Sequence, residues 1–247
     1  MKKIVYILLG SFVALLASCE ADSTDNAAMP NETEQSGSLA RFTILNNHLY
    51  TVDYEDLNVF DINDNENPVF VNSVNVGFDI ETLFSFKTYL YIGSRNGMFI
   101  YDASNFETPQ LLSSVEHFTA CDPVIANDTH AFVTLKGGNL CGANLNVLEV
   151  YDVTDVTNPV LISQRNLAGP VGMAFYGDYL FVCDDEVKIF DISDPENMNL
   201  VHAINTESFD VIIQNNLLIL VGQQGVYQYE LDPVNIQNET MLSTIAL

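Results

Sequence analysis

The chain has 247 residues, 48% hydrophobic and only 17% charged, so it holds enough apolar material for a sizeable core and is not disordered throughout. Eight Lys and Arg face 33 Asp and Glu, a formal charge of −25. That balance excludes sequence-independent nucleic-acid binding and adhesion to an anionic membrane by charge; cations, cationic partners and neutral ligands stay open.

Lys2 and Lys3 form a basic start, and residues 4–17 are almost wholly apolar. The stretch is shorter than the roughly 20 residues of a spanning helix, and its order is that of a secretory signal peptide. Leu16-Ala17-Ser18-Cys19 resembles the bacterial lipobox, which implies cleavage before Cys19 and lipidation of that residue. The plainer alternative is an ordinary signal peptide with a chance cysteine. Glu20 follows Cys19, and by resemblance to lipoprotein sorting signals this implies the outer membrane. The expected organisation is a lipoprotein signal peptide over 1–18, a lipidated Cys and tether over 19–38, and a folded domain over 39–247. The tether sequence, EADSTDNAAMPNETEQSGS, is too polar to offset its ordering entropy.

An internal repeat dominates the remainder. Val59-Phe60-Asp61-Ile62, Ile100-Tyr101-Asp102-Ala103, Val150-Tyr151-Asp152-Val153 and Ile189-Phe190-Asp191-Ile192 share an aromatic-Asp core, and Gln228-Tyr229-Glu230-Leu231 is a degenerate fifth copy. Their acidic positions lie 41, 50, 39 and 39 residues apart, and the long interval holds an insertion over 136–146. Pro68, Pro109 and Pro159 follow at one offset, and alternating apolar runs such as Tyr89-Leu90-Tyr91 precede each core. In the second repeat, residues 81–86, 89–94, 97–102 and 110–115 read as strands, rich in β-branched and aromatic residues and bounded by turn formers. Four short strands per repeat of about 40 residues match a propeller blade. The expected fold is all-β, a five-bladed β-propeller of four-stranded antiparallel blades, in which stacking buries the faces that no blade can bury alone.

The run Tyr-Leu-Phe-Val followed by Ile-Phe-Asp-Ile-Ser-Asp-Pro over 179–195, with its counterpart over 49–71, resembles the LVIVD repeat of bacterial surface β-propellers. The resemblance covers roughly residues 38–247 and implies extracytoplasmic placement without implying a reaction. The fifth repeat lacks the Asp-x-Ser-Asp and Pro signals, and the third carries the insertion.

The repeat acids Asp61, Asp102, Asp152 and Asp191 precede Ser, Thr, or Asn two positions on and are read as turn formers, not catalysts. The sequence at 61–65 lacks the glycine and distal Glu of a calcium loop. Cys121 and Cys141 lie 20 residues apart, and a disulfide there could add about 3 kcal/mol. Two free thiols or a metal site are the alternatives, with no histidine pair nearby to favour zinc. Cys183, in Tyr-Leu-Phe-Val-Cys, is expected in the core.

A propeller's binding place is the mouth of its central channel. Counting eight residues back from each second strand gives Ala40, Glu81, Asp122, Val171 and Asp210, with Arg41 and Asp79 beside them. On a closed ring these remote acids converge. The expected binding set is therefore Arg41, Asp79, Glu81, Asp122 and Asp210. Converging carboxylates could hold Ca²⁺ or Mg²⁺, or, as Glu81, Asp122 and Asp210, cleave a glycosidic bond. A polar channel mouth with neither activity is the simpler reading. No nucleophile elbow, zincin or dinucleotide motif is present. The leading expectation is a non-enzymatic, lipid-anchored binding or scaffolding module with a protein or glycan partner. The carbohydrate hydrolase and the cation-binding propeller are the alternatives.

Overall fold

Two-residue turns set the register of the first hairpins. Asn46 and Asn47 adopt φ of 48° and 58°, and Lys87, Gly177 and Asn215 take similar left-handed values. Such turns match the right-handed twist of paired strands. The computed structural model describes residues 37–116, 123–138 and 145–246. The leader, Cys19, Cys121, Asp122 and Cys141 lie outside them. Blade 1 comprises β1 (Phe42–Leu45), β2 (His48–Val52), β3 (Asp56–Asp61) and β4 (Val69–Asn75). Blade 2 comprises β5 (Ile80–Phe86), β6 (Tyr89–Ser94), β7 (Gly97–Asp102) and β8 (Gln110–Glu116). Blade 3 comprises β9 (Val124–Ala126), β10 (His130–Lys136), β11 (Asn146–Asp152) and β12 (Val160–Asn166). Blade 4 comprises β13 (Met173–Tyr176), β14 (Tyr179–Cys183), β15 (Val187–Asp191) and β16 (Asn199–Ile204). Blade 5 comprises β17 (Asp210–Gln214), β18 (Leu217–Gly222), β19 (Gly225–Glu230) and β20 (Thr240–Ala246). Each sheet pairs its four strands in sequence order, all antiparallel, so no blade borrows a strand from the far end of the chain.

The repeated aromatic-Asp core marks a mechanical feature. In every blade the third and fourth strands slip register immediately before the aromatic residue, at Val59/Phe60, Ile100/Tyr101, Val150/Tyr151, Ile189/Phe190 and Gln228/Tyr229. A bulge sharpens local twist, which a radial blade needs. The acid that follows closes the next turn: Asp61, Asp102, Asp152 and Asp191 each accept the backbone N–H two residues on, at 2.7–2.9 Å. These bonds, from side chain or backbone, hold the carboxyls of Asp61, Asp152 and Asp191 below their ordinary value. The turn reading of the acids is thus how the structure uses them. In blade 5 the connecting loop is longer, and Asp232 takes the role instead of Glu230, accepting from Val234 N at 2.8 Å.

The core is interfacial. Four buried clusters lie between blades 1 and 2, 2 and 3, 3 and 4, and 4 and 5. Polar ties run alongside: Asn72 Nδ2 to Glu107 O at 3.1 Å, Ser113 Oγ to Val156 O at 2.6 Å, and Ser163 Oγ to Glu196 O at 3.1 Å. His202 Nε2 meets Glu239 Oε2 at 2.9 Å in the fourth copy. Among the described residues, no such cluster joins blade 5 to blade 1. The ring is therefore not sealed by packing all the way round, unlike the closed disc the repeat suggested. At the mouth a strap spans this seam: Gly37 abuts Asp210 of blade 5, and Ala40 O accepts Leu83 N of blade 2 at 2.7 Å. Gly37 and Ser38 are buried, and Ser38 Oγ accepts Met173 N at 2.7 Å. The tether expected to run through residue 38 therefore gives way to the propeller by Gly37.

Candidate functional site

The mouth of the channel is the end at which the first strand of each blade begins and its second strand turns into the third. Phe84, Ile125, Phe175 and Ile212, from blades 2 to 5, line a cavity of about 10 Å³, too small to admit a ligand.

The acids predicted to converge separate into two settings. On blade 2, Asp79 and Glu81 flank Arg95, which comes from the β6–β7 turn. Arg95 Nη1 lies 3.3 Å from Asp79 Oδ2, and its buried Nε lies 4.0 Å from Glu81 Oε1. Arg41 reaches across from blade 1 and donates to Glu81 O at 3.1 Å and Ile80 O at 3.2 Å. Arg95 is thus a neutralising base that sequence reasoning did not assign to these carboxylates. Asp79 holds φ at 55°, strained for a non-glycine residue, with its carbonyl accepting Arg95 N at 3.0 Å. Tyr54, on the neighbouring turn, hydrogen-bonds the Asp79 carboxylate, which holds its phenol above the ordinary value. The Tyr54 and Phe78 rings meet edge to face at 6.4 Å and are 58% and 65% exposed. Neither aromatic was singled out from the sequence, where each is one of many outside an apolar run; only the packing of blade 1 against blade 2 brings them beside Arg95.

Asp210 stands apart. Counting back from Leu218 misplaced it by one residue, because β18 begins at Leu217. Opposite the fourth residue of each second strand stand Phe42, Leu83, Val124, Met173 and Val211. Two residues earlier stand Ala40, Glu81, Val171 and Phe209; Asp210 belongs to the next ring, with Arg41, Thr82, Pro123 and Gly172. Its carboxyl is wedged where a Cβ on Gly37 or Gly172 would come within 2.8 Å. Burial pushes its pKa up to about 6, opposed by the Val211 N–H at 3.0 Å. Cys183 nearby is fully buried, receives the Ser208 hydroxyl at 3.4 Å, and is pushed up to about 12 by burial, so it is an inert core thiol as expected. Among the described residues, no group of three or more His, Cys, Asp or Glu side chains is placed to share a metal ion. The mouth as described is a mixed ion-pair and aromatic surface suited to contact, with one solitary protonatable acid under its rim.

The architecture defines a β-propeller of five blades. Its sequence places it further: residues 87–117 and 172–206, within blade 2 and across blade 4, match the LVIVD repeat, and the chain carries LVIVD repeats in that fold. Comparison with curated protein sequences gives no significant match. Among solved structures, a protein from Lactobacillus plantarum superposes with a TM-score of 0.67 at 11% identity, over 80% of this chain and 67% of that one. The periplasmic gluconolactonase PpgL of Pseudomonas aeruginosa gives 0.64 at 14%, over 81% and 68%. BamB from Moraxella catarrhalis gives 0.58 at 13%, over 76% of this chain and 55% of its own. At these identities the likeness is one of fold.

Proposed function

We propose that this propeller is a binding or scaffolding module of the bacterial cell envelope, anchored through a lipid on Cys19 and without chemistry of its own. Its contact surface is the mouth of blades 1 and 2, and its partner is a protein. The observation that carries this reading is the exposed Tyr54–Phe78 pair beside the Arg95–Asp79 ion pair. Aromatics and arginine are the residue types that concentrate binding energy at interfaces, and here rigid turns hold them. A hydrolase would need two cooperating carboxyls; Asp79 and Glu81 are engaged by arginine, and Asp210 is wedged beneath the strap with no room for a sugar beside it.

The test is affinity capture of the full chain from envelope extract, alongside Tyr54→Ala/Phe78→Ala. The expected result is one stoichiometric protein that the wild type retains and the variant loses. Equal recovery by both refutes the assignment of the surface. Cleavage of a glycan or lactone by the wild type, abolished by Glu81→Gln, replaces the module with an enzyme.

A further inference from the structure

The third strands of blades 2, 3 and 4 treat one position differently. Phe99, Glu149 and Lys188 each stand two residues before the core aromatic. In blade 3, Gln164 donates to Glu149 Oε1 at 2.9 Å and the Tyr151 hydroxyl donates to its Oε2 at 2.6 Å. In blade 4, Lys188 Nζ donates to Asp184 Oδ2 at 2.7 Å. Both polar groups are thus satisfied within their own blade. Blade 2 instead leaves a cavity of about 230 Å³, lined by Asn96, Gly97, Phe99, Ser114, Val115 and Glu116. Phe99 pairs with Ser114 across the sheet, and Gly97 with Glu116, so these four positions share one face. Phe99 packs against the cluster between blades 1 and 2, so that face is the one turned toward blade 1.

Two residues particular to blade 2 make the cavity. Gly97 presents no side chain where blades 1 and 3 have Asp56 and Val147, and a Cβ there would lie 2.2 Å from Val115 O. Glu116, opposite it, stands where those blades have Asn75 and Asn166. Asn75 Nδ2 closes on Asp56 Oδ1 at 3.0 Å, a bond that Glu116 has no side chain opposite to make. Blade 5 keeps a glycine and an aromatic, Gly225 and Tyr227, but has Ala246 in place of the acid. Among the described residues, no side chain hydrogen-bonds or ion-pairs with Glu116. Arg95, from the adjoining turn, is engaged by Asp79 and Glu81. The cavity borders the exposed aromatic pair. A Cβ on Gly77, next to Phe78, would lie 3.6 Å from Phe99 Cζ, and Val76 N and Gly77 N donate to the carbonyl of Glu55, next to Tyr54. Asp53, Glu55 and Asp56, on the turn that carries Tyr54, add further negative charge.

We propose that this cavity is the anchor socket of the blade 1–blade 2 contact surface and takes one basic side chain, an arginine, of the protein partner. The inference rests on the reading of that surface given above and specifies the partner's chemistry. Size selects a single side chain, because pockets for drug-sized ligands run about 300–1,000 Å³. The lining selects its type. An aromatic wall and an unpaired carboxylate receive an apolar stem that ends in a cation. A planar, weakly hydrated guanidinium stacks on a ring and pairs with a carboxylate at once, which an ammonium does less well. The formal charge of −25 attracts such a partner and repels an acidic one.

The experiment titrates the isotope-labelled full chain in mild detergent with acetyl-arginine amide and follows the backbone amide resonances of Phe99, Ser114 and Glu116. Acetyl-lysine amide and the neutral acetyl-citrulline amide are the comparison probes, and Glu116→Gln and Glu66→Gln the variants. Both glutamates are exposed, so the fold survives either change, which circular dichroism checks. The expected result is a saturable shift with arginine bound tighter than lysine. Citrulline binds about fivefold more weakly or worse, and Glu116→Gln weakens arginine binding about fivefold, the upper weight of an exposed ion pair. Glu66→Gln leaves binding unchanged, which separates the socket from diffuse attraction to an acidic chain. Equal affinity for arginine and citrulline overturns the proposal, as does equal affinity of wild type and Glu116→Gln, or a shift that never saturates at these residues. Tyr54→Ala/Phe78→Ala keeps the arginine probe while losing the protein partner. Capture of a partner by a chain that binds no probe sinks the socket and spares the contact surface; probe binding by a chain that captures no partner spares the socket and sinks the contact surface.

Discussion

Asp210→Asn tests the energetics of the mouth directly. The carboxyl is wedged between two glycines and raised from 3.8 to about 6, so its ionisation costs folding about 3 kcal/mol at 1.36 kcal/mol per unit, an upper figure because residual solvent contact screens it. The sign follows from the order of titration. Below the unfolded value both states carry the proton and the penalty is absent. As pH rises from 3.8 toward 6, the unfolded chain ionises first and stability falls; above that window the penalty is complete. Asparagine keeps the shape and the acceptor for Val211 N–H but never ionises. Urea unfolding should therefore find the variant more stable than wild type at pH 8 by up to about 3 kcal/mol, and nearly equal at pH 4. Glu66→Gln, which removes one exposed charge, controls for general relief of repulsion and should stay within about 0.5 kcal/mol at both. Equal stabilisation at the two pH values, or none at pH 8, refutes the claim that burial raises this acid.

Gly172→Ala places a methyl 2.8 Å from Asp210 Cα and from Phe209 O, both backbone atoms, so the blade 4–blade 5 contact must open; a loss of about 1–3 kcal/mol is expected in the same unfolding assay. A change below about 0.5 kcal/mol, the background of surface substitutions, would show that the contact yields freely. Cys19→Ser should abolish incorporation of labelled fatty acid and release the protein from the membrane fraction. Undiminished labelling would remove the anchor from the proposed function.

Much of the fold was legible because it is written five times. The strands read in the second repeat, 81–86, 89–94, 97–102 and 110–115, agree with the observed β5 to β8 to within one residue at their ends. Alternation, turn residues and the aromatic-Asp core are local, and each copy confirms the others. The Asp turns were legible for the same reason, since a side chain bonding two residues ahead needs nothing from the rest of the chain.

The site was legible only in part. Asp79, Glu81 and Arg41 come together as counted, but Arg95 was missed because it arrives from a hairpin turn whose closeness to the mouth exists only once β6 pairs with β5. Asp210 slipped because the apolar run of blade 5 was counted from Leu218 whereas β18 begins at Leu217, and strand register converts one residue into a different face. The sequence by itself determined the repeating unit, its strands and its turns, because short-range hydrogen bonding and side-chain alternation specify them. The tertiary structure alone decided which acids meet a base, and that Phe84, Phe175 and their neighbours from four blades meet around one small cavity. Curvature accumulates over the four interfaces between successive blades, so which residues meet at the mouth is set by the whole stack and by no single repeat.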